Sequence, residues 1–251
     1  MIKIHIESFS LSYPDGTESL KNINLDISAN AITVLFGPAG GGKSTLLRAI
    51  NRLNDLAKVS RVSGKVVIDG QNILASDINV IALRRKIGIV FAHPVVLPFS
   101  IRKNLTYSLE LAGIRQKQRI EAVVERSLNQ AALWEEVKDR LDEPAIALSG
   151  GQQQRLCLAR SLVLEPEIIL LDEPTSGLDP ISTGKVESSL QELKKQYTIV
   201  LVPHSVQQAA RTADYAAFFL QGELIECLPG KDIFTNPRDQ RTEDYVEGRF
   251  G

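Results

Sequence analysis

Cysteine is scarce in this 251-residue sequence, which holds only Cys157 and Cys227, far apart and without metal-ligand spacing. That rules out a disulfide framework and a cysteine-based metal centre as organising features. Each thiol reads as a small apolar filler, consistent with a reducing compartment. Positive charge is not in excess either: 29 Lys and Arg stand against 30 Asp and Glu, for a formal net charge of −1. Without a basic surplus to neutralise a phosphate backbone, the chain is no general nucleic-acid binder. No apolar run approaches the ~20 residues needed to span a bilayer, so any membrane role must come through a partner. Met1 to Ile6 lacks a signal-peptide layout, and no internal repeat or low-complexity tract appears. What the sequence does have is 43% apolar and 24% charged residues. That suits one large α/β domain, or one domain carrying an insertion.

The chain is organised around Gly37, Pro38, Ala39, Gly40, Gly41, Gly42, Lys43, Ser44 and Thr45. A near-continuous apolar run from Ala31 to Phe36 precedes this stretch, and Leu46, Leu47, Ile50 and Leu53 follow at helical spacing. The reading is a buried strand, a glycine-rich turn and a helix. Gly37, Gly42, Lys43 and Ser44 meet every position of G-x-x-x-x-G-K-[ST]. Such a turn lets successive backbone N–H groups wrap a phosphate, and the helix N-terminus adds partial positive charge. Lys43 then reaches the outer phosphates and the Ser44 hydroxyl takes a Mg²⁺ ligand position. The spacing implies a site for a nucleoside triphosphate.

Residues 2–13 read as a strand closed by the turn Tyr13-Pro14-Asp15-Gly16, and Ile23, Leu25 and Ile27 alternate as in a half-buried antiparallel strand. Further strands are expected at 64–70, 87–91, 168–171 and 198–202. Between about 94 and 147 the pattern is helical, with Ile120, Val123, Val124, Leu128 and Ala131 on one stripe. Alternating β and α segments predict a parallel sheet. Asp179 and Pro180 suit the cap and first position of a helix that buries Val186, Leu190 and Leu193. Another helix starts near Ser205, with Val206, Ala209, Ala210 and Ala213 on one stripe.

The run Ile168-Ile169-Leu170-Leu171-Asp172-Glu173 is a buried strand ending in carboxylates. Beside a phosphate loop, Asp172 would hold Mg²⁺, directly or through water. Glu173 leaves on the other side and would orient and deprotonate the attacking water. Taken alone, the same pair also reads as a solvated acidic loop. Ser149, Gly150, Gly151 and Gln152 open a further helix, with Leu156, Ala159 and Val163 on its buried side. This is a second anion-receptive helix start without a lysine. One nucleotide needs no second such site from the same chain.

Gly37–Ser44, Leu148–Gln152, Asp172–Glu173, Ser176–Asp179 and His204, in that set and roughly that spacing, resemble the ATPase subunits of ABC transporters. The resemblance implies an α/β P-loop NTPase core with a mainly parallel sheet, an antiparallel β subdomain and an inserted helical subdomain. The whole chain, 1–251, would then be a single nucleotide-binding domain. Its catalytic core would be 1–93 and 161–251, with 94–160 as the helical subdomain carrying Ser149–Gln152. It implies a head-to-tail homodimer with ATP between Gly37–Thr45 of one chain and Ser149–Gln152 of the other. Ser176–Asp179 would run along that interface and His204 would contact the γ-phosphate, although alone it reads as an ordinary strand-end histidine. Tyr13 stands where an aromatic residue stacks on adenine; a tyrosine packed in its turn is the competing reading.

Residues 47–56, 152–157, 179–183 and 207–211, and the tail 233–251, are similar to the ATP-binding subunit of bacterial phosphate importers. That likeness implies ATP hydrolysis with Mg²⁺, two integral-membrane permease subunits and an extracytoplasmic phosphate-binding protein. It also implies a peripheral place on the cytoplasmic face of the inner membrane. Nothing in these residues physically selects phosphate over another oxyanion. One departure stands out: the family's glutamine after the strand at 87–91 is Ala92 here. Alanine binds no metal, whereas water can fill the vacancy. His93, its neighbour on an extended chain, points to the opposite side and would need a one-residue shift of the loop to substitute. The expectation is retained ATP affinity with slowed hydrolysis or weaker coupling to the membrane partner. An ATP-gated switch that hydrolyses too slowly for transport is therefore the alternative. The DNA-repair ATPases sharing this head are disfavoured, because there is no long coiled-coil insertion and no basic excess. Leu97-Pro98-Phe99-Ser100 puts apolar groups where a partner helix would dock, or where a local core contact would form.

Overall fold

The computed structural model describes residues 1–249; Phe250 and Gly251, which end the tail quoted for the resemblance, lie outside the described residues. The chain divides into two compact units, one formed by 1–84 with the segment from Thr198 onward, the other by 85–197.

In the first unit β1 (Ile2–Ser12) and β2 (Glu18–Ser28) pair antiparallel, as the alternation at Ile23, Leu25 and Ile27 predicts. Ile4, Ile6, Ile23 and Ile27 are buried, and Gly16 N–H closes the turn onto the Tyr13 carbonyl at 3.1 Å. β3 (Ile32–Phe36) is buried at every position and runs through the glycine turn into α1 (Lys43–Ile50). β4 (Arg61–Ile68) pairs antiparallel with β1. It returns through Asp69 and Gly70, at φ 50° and 79°, into β5 (Gln71–Asn72). Positive φ at both central residues is what a tight two-residue hairpin requires.

α2 (Val80–Lys86) leads into the second unit, whose strands β6 (Ile87–Val90) and, much later, β7 pair in parallel from Ile87↔Ile168 to Val90↔Leu171. The expected helical block contains α3 (Ile101–Leu111), α4 (Lys117–Gln130) and α5 (Trp134–Val137), followed by α6 (Gly150–Leu162). α4 buries Val123, Val124 and Leu128 as its spacing predicts, and Ser127 beside them. β7 (Ile168–Asp172) has all five residues buried. Asp179 caps α7 (Pro180–Leu193), accepting from Ile181 N–H at 2.9 Å and Ser182 N–H at 3.0 Å. Val186, Leu190 and Leu193 are buried, as expected.

The chain then returns to the first unit with β8 (Thr198–Val202), α8 (Val206–Thr212), β9 (Tyr215–Leu220), β10 (Glu223–Pro229), α9 (Gly230–Thr235) and α10 (Gln240–Val246). β3 lies between β8 and β9, parallel to both, and β10 pairs antiparallel with β9. Burial on both faces explains why β3 and β8 read as nearly continuous apolar runs, each with a single buried threonine, Thr33 and Thr198. Lys21 N–H donates to Gly222 O at 2.8 Å, tying β2 to the β9–β10 turn.

The structure corrects the stripe assigned to α8: Ala210 is exposed, and the buried face is Gln208, Ala209 and Thr212. The helix spans only Val206–Thr212, and its polar residues are bonded within the helix and its cap. Gln208 N–H meets Ser205 Oγ at 3.2 Å, and Thr212 Oγ1 donates to Gln208 O at 2.8 Å. The β9–β10 hairpin was not expected, although its Gln221-Gly222 turn, at φ 49° and 85°, carries the same positive-φ pattern as Asp69-Gly70.

Candidate nucleotide-binding and catalytic elements

The first unit carries the phosphate loop where the sequence places it. Gly37, at φ 135°, packs so close to β9 that a Cβ would sit 2.0 Å from the Phe219 carbonyl oxygen. At Gly42, φ 95°, a Cβ would meet the Ser19 carbonyl at 2.4 Å. The loop is thus clamped by main chain on both flanks. Lys43 Nζ donates to the carbonyls of Gly37 and Pro38 at 2.7 Å each, folding its ammonium over the loop. Ser44 and Thr45 are half-buried in the first turn of α1, and Thr45 Oγ1 lies 2.8 Å from Ser19 Oγ. Pro38 is half-buried, Ala39 and Gly40 are exposed and Gly41 is buried. The result is a concave run of backbone donors at a helix start, suited to phosphate oxygens. Behind it, Phe36 contacts Phe218, Phe234 and Tyr245 at ring separations of 5.3, 5.0 and 6.2 Å. The tail quoted for the resemblance therefore backs the strand that delivers the loop, a packing role that its sequence did not disclose.

Tyr13 is half-buried; its N–H donates to Thr17 O at 2.9 Å. His204 is exposed just past β8, and its N–H donates to Gln208 Oε1 at 2.9 Å, which fixes the strand end to α8.

In the second unit, Asp172 ends β7 at 9% exposure and Glu173 follows, half-buried, at φ 50°. A left-handed glutamate is a strained conformation of the kind that concentrates where chemistry fixes a side chain. Ser149 caps α6, with its Oγ accepting from Gln152 N–H at 3.3 Å while Gln152 Oε1 accepts from Ser149 N–H at 3.0 Å. This reciprocal box leaves Ser149 and Gly150 exposed at the tip, Gly151 buried behind it and the Gln152 side chain spent on support. Asp179 is likewise committed, since Oδ2 accepts from Ser182 Oγ at 2.6 Å as well.

Glu136 was not singled out by the sequence reading. It accepts from Arg155 at 2.8 and 3.0 Å, from Lys185 at 2.5 Å and from Gln152 at 3.0 Å. These bonds, Arg155 foremost, pull its carboxyl down to about 2. Cys157 and Cys227 are free thiols, both raised by burial, Cys227 to about 11, as fits their filler role.

Ala92 is half-buried and His93 exposed. Gln154, 2% exposed, donates to the Phe91 carbonyl at 2.9 Å, anchoring α6 to the start of this loop. Beyond it, Asn104 exchanges bonds with Leu97 (N–H to Oδ1 2.8 Å, Nδ2 to O 3.2 Å), and Arg160 donates to Val95 O at 2.8 Å. The pinned loop borders a groove of about 450 Å³ whose walls include Leu97, Pro98, Phe99, Pro144 and Ile146. Phe99 and Ile146 are 38% and 72% exposed, so these groups are not a closed core contact.

Comparison with known proteins identifies the family. The pattern of the ABC transporter family matches residues 20–176. The chain is 53% identical over 248 residues to the phosphate import ATP-binding protein PstB of Mycoplasma capricolum, covering 98% of this chain and 92% of that protein. It is 50% identical to phosphate import ATP-binding protein PstB 2 of Bacillus subtilis, covering 99% and 92%. Among solved structures it resembles cbiO1 of Clostridium perfringens, part of the ABC transporter complex cbiONQ. The TM-score is 0.82 and the identity 28%, over 99% of this chain and 96% of that one. With the phosphate loop, the capped glycine tip and the strand-end carboxylates in place, the chain belongs to the ABC transporter family.

Proposed function

We propose that this protein is the ATP-hydrolysing subunit that energises an ABC importer of inorganic phosphate. The observation that carries the reading is its identity of 50% or more, over nearly the whole chain, with proteins named for phosphate import. The built phosphate loop supports ATP as the substrate. In this reading Gly37–Thr45 cradle the phosphates of ATP, Tyr13 stacks on adenine, and Ser149–Gln152 with Asp179 face the nucleotide held by a second, antiparallel copy. Glu173 takes the proton of the attacking water, and His204 contacts the γ-phosphate. The residues fit Mg²⁺: a hydroxyl at Ser44 and a nearly buried carboxylate at Asp172 are hard oxygen donors. Among the described residues no group of three His, Cys, Asp or Glu could hold a metal. Mg²⁺ needs no such cage, since it relies on few carboxylates plus water and phosphate oxygens. When bound, it would draw off charge developing on the phosphate oxygens.

Residues 94–160 then act as the helical subdomain. The groove beside Leu97–Phe99 receives a helix from one of two permease subunits, with an external phosphate-binding protein delivering the cargo. No helix among the described residues is long and apolar enough to cross a membrane. In this reading the permease partners hold the protein at the cytoplasmic face. Co-purification with permease subunits and ATP-driven uptake of labelled phosphate into vesicles tests the reading. Phosphate is expected to accumulate, and transport of another oxyanion instead would overturn the cargo.

Ala92 bears on rate rather than on binding. Replacing alanine by Ala92→Gln is expected to raise ATP turnover while leaving ATP affinity within about twofold, because water can fill a metal position that lacks a side chain. An unchanged turnover rate would mean that the site is not impaired.

A further inference from the structure

We propose that Glu136 is a positioning residue that makes the glycine tip Ser149–Gln152 and the start of α7 a single rigid piece. The inference rests on the reading of that tip as the part lent to the opposing copy's nucleotide. Glu136 sits on a short helix, α5, in the second unit, whereas the phosphate loop belongs to the first. Its Oε1 accepts from Arg155 Nη1 at 2.8 Å and Lys185 Nζ at 2.5 Å, and its Oε2 from Arg155 Nη2 and Gln152 Nε2 at 3.0 Å each. Through Gln152 the carboxylate is one bond from the Ser149 cap, because the same amide's Oε1 accepts from Ser149 N–H at 3.0 Å. Through Lys185 it reaches α7.

The two helix starts also meet directly. A Cβ on Gly151 would lie 2.5 Å from Ser182 Oγ, and Ser182 is itself held by Asp179 at 2.6 Å. A glycine tip and an interface aspartate are therefore fixed to each other by one carboxylate and one close approach. Arg155, with 3% of its side chain exposed, cannot give up its partner without leaving a buried charge uncompensated. What this achieves is preorganisation: the tip's donors are aimed before the second nucleotide arrives, so less ordering remains when two chains close.

The test uses the full chain carrying Glu173→Gln, with ATP binding measured on dilute monomer and ATP-driven dimerisation by sedimentation. Adding Glu136→Gln is expected to leave monomer affinity within about twofold and to weaken dimerisation about tenfold, the scale of one charge-assisted contact. Dimerisation equal to the parent, or an equal loss of monomer affinity, would overturn the proposal. Lys185 is 42% exposed, so its substitution threatens the fold least and decides the matter if Glu136→Gln does not fold. Lys185→Met is expected to weaken dimerisation and Lys185→Arg to restore it; no effect of Lys185→Met would also overturn it. If the parent itself fails to dimerise with ATP, the fault lies in the underlying reading of the tip, and the proposal falls with it.

Discussion

Glu173→Gln is expected to lower ATP turnover by ~10²–10⁴, the range for loss of a general base, with ATP still bound. The argument starts from the backbone. β7 is buried along its whole length, so the chain emerges at Asp172 in a fixed direction. Glu173 then takes φ 50°, a conformation that costs a non-glycine residue on the order of 1–3 kcal/mol. Glutamine has the same bulk and the same backbone cost, so the substitution removes the proposed proton acceptor while leaving the strain unchanged. A drop in turnover without a drop in thermal midpoint therefore reads chemistry and not folding. The same variant separates the two functional classes. An energy-coupling ATPase loses its turnover and accumulates the ATP-bound dimer. A switch whose hydrolysis is already too slow because of Ala92 shows equal rates with Glu173 and Gln, and that result would favour the switch.

The elements that the sequence disclosed are those whose physics is local. The phosphate loop is contiguous, and its glycines, lysine and serine are constrained by a single turn. Asp179-Pro180 announces a helix start because cap and first position are adjacent. The supports of the site are not local. Gln154 reaches the Phe91 carbonyl across 63 residues, and Lys185 reaches Glu136 across 49. No periodicity marks such pairs, and each residue alone reads as a solvated polar side chain. Ala210 falls outside the buried face because a seven-residue helix is about two turns long, too short for apolar spacing to fix which side turns inward. β9 is harder to read because its run contains Ala216 and Ala217, residues that favour helix over strand and continue the alanine spacing of α8.

That missed strand sets the second large effect. Gly37→Ala is expected to destabilise the protein by about 2–6 kcal/mol, combining overpacking with backbone strain. The added methyl would sit 2.0 Å from the Phe219 carbonyl oxygen, which is main chain and cannot rotate away. Either β9 or the loop must move, and the loop is where the phosphate-binding N–H groups lie. ATP affinity should therefore fall together with the urea midpoint. Gly40→Ala supplies the control: φ is 77°, but nothing lies within 4 Å of its Cβ position. Only the left-handed cost of about 1–2 kcal/mol applies there. Against a total stability of roughly 5–15 kcal/mol, the first change brings the fold near its limit and the second does not. If both variants lost the same stability and the same affinity, the close approach to Phe219 would carry none of the cost, and the clamp that shapes the loop would have to lie elsewhere.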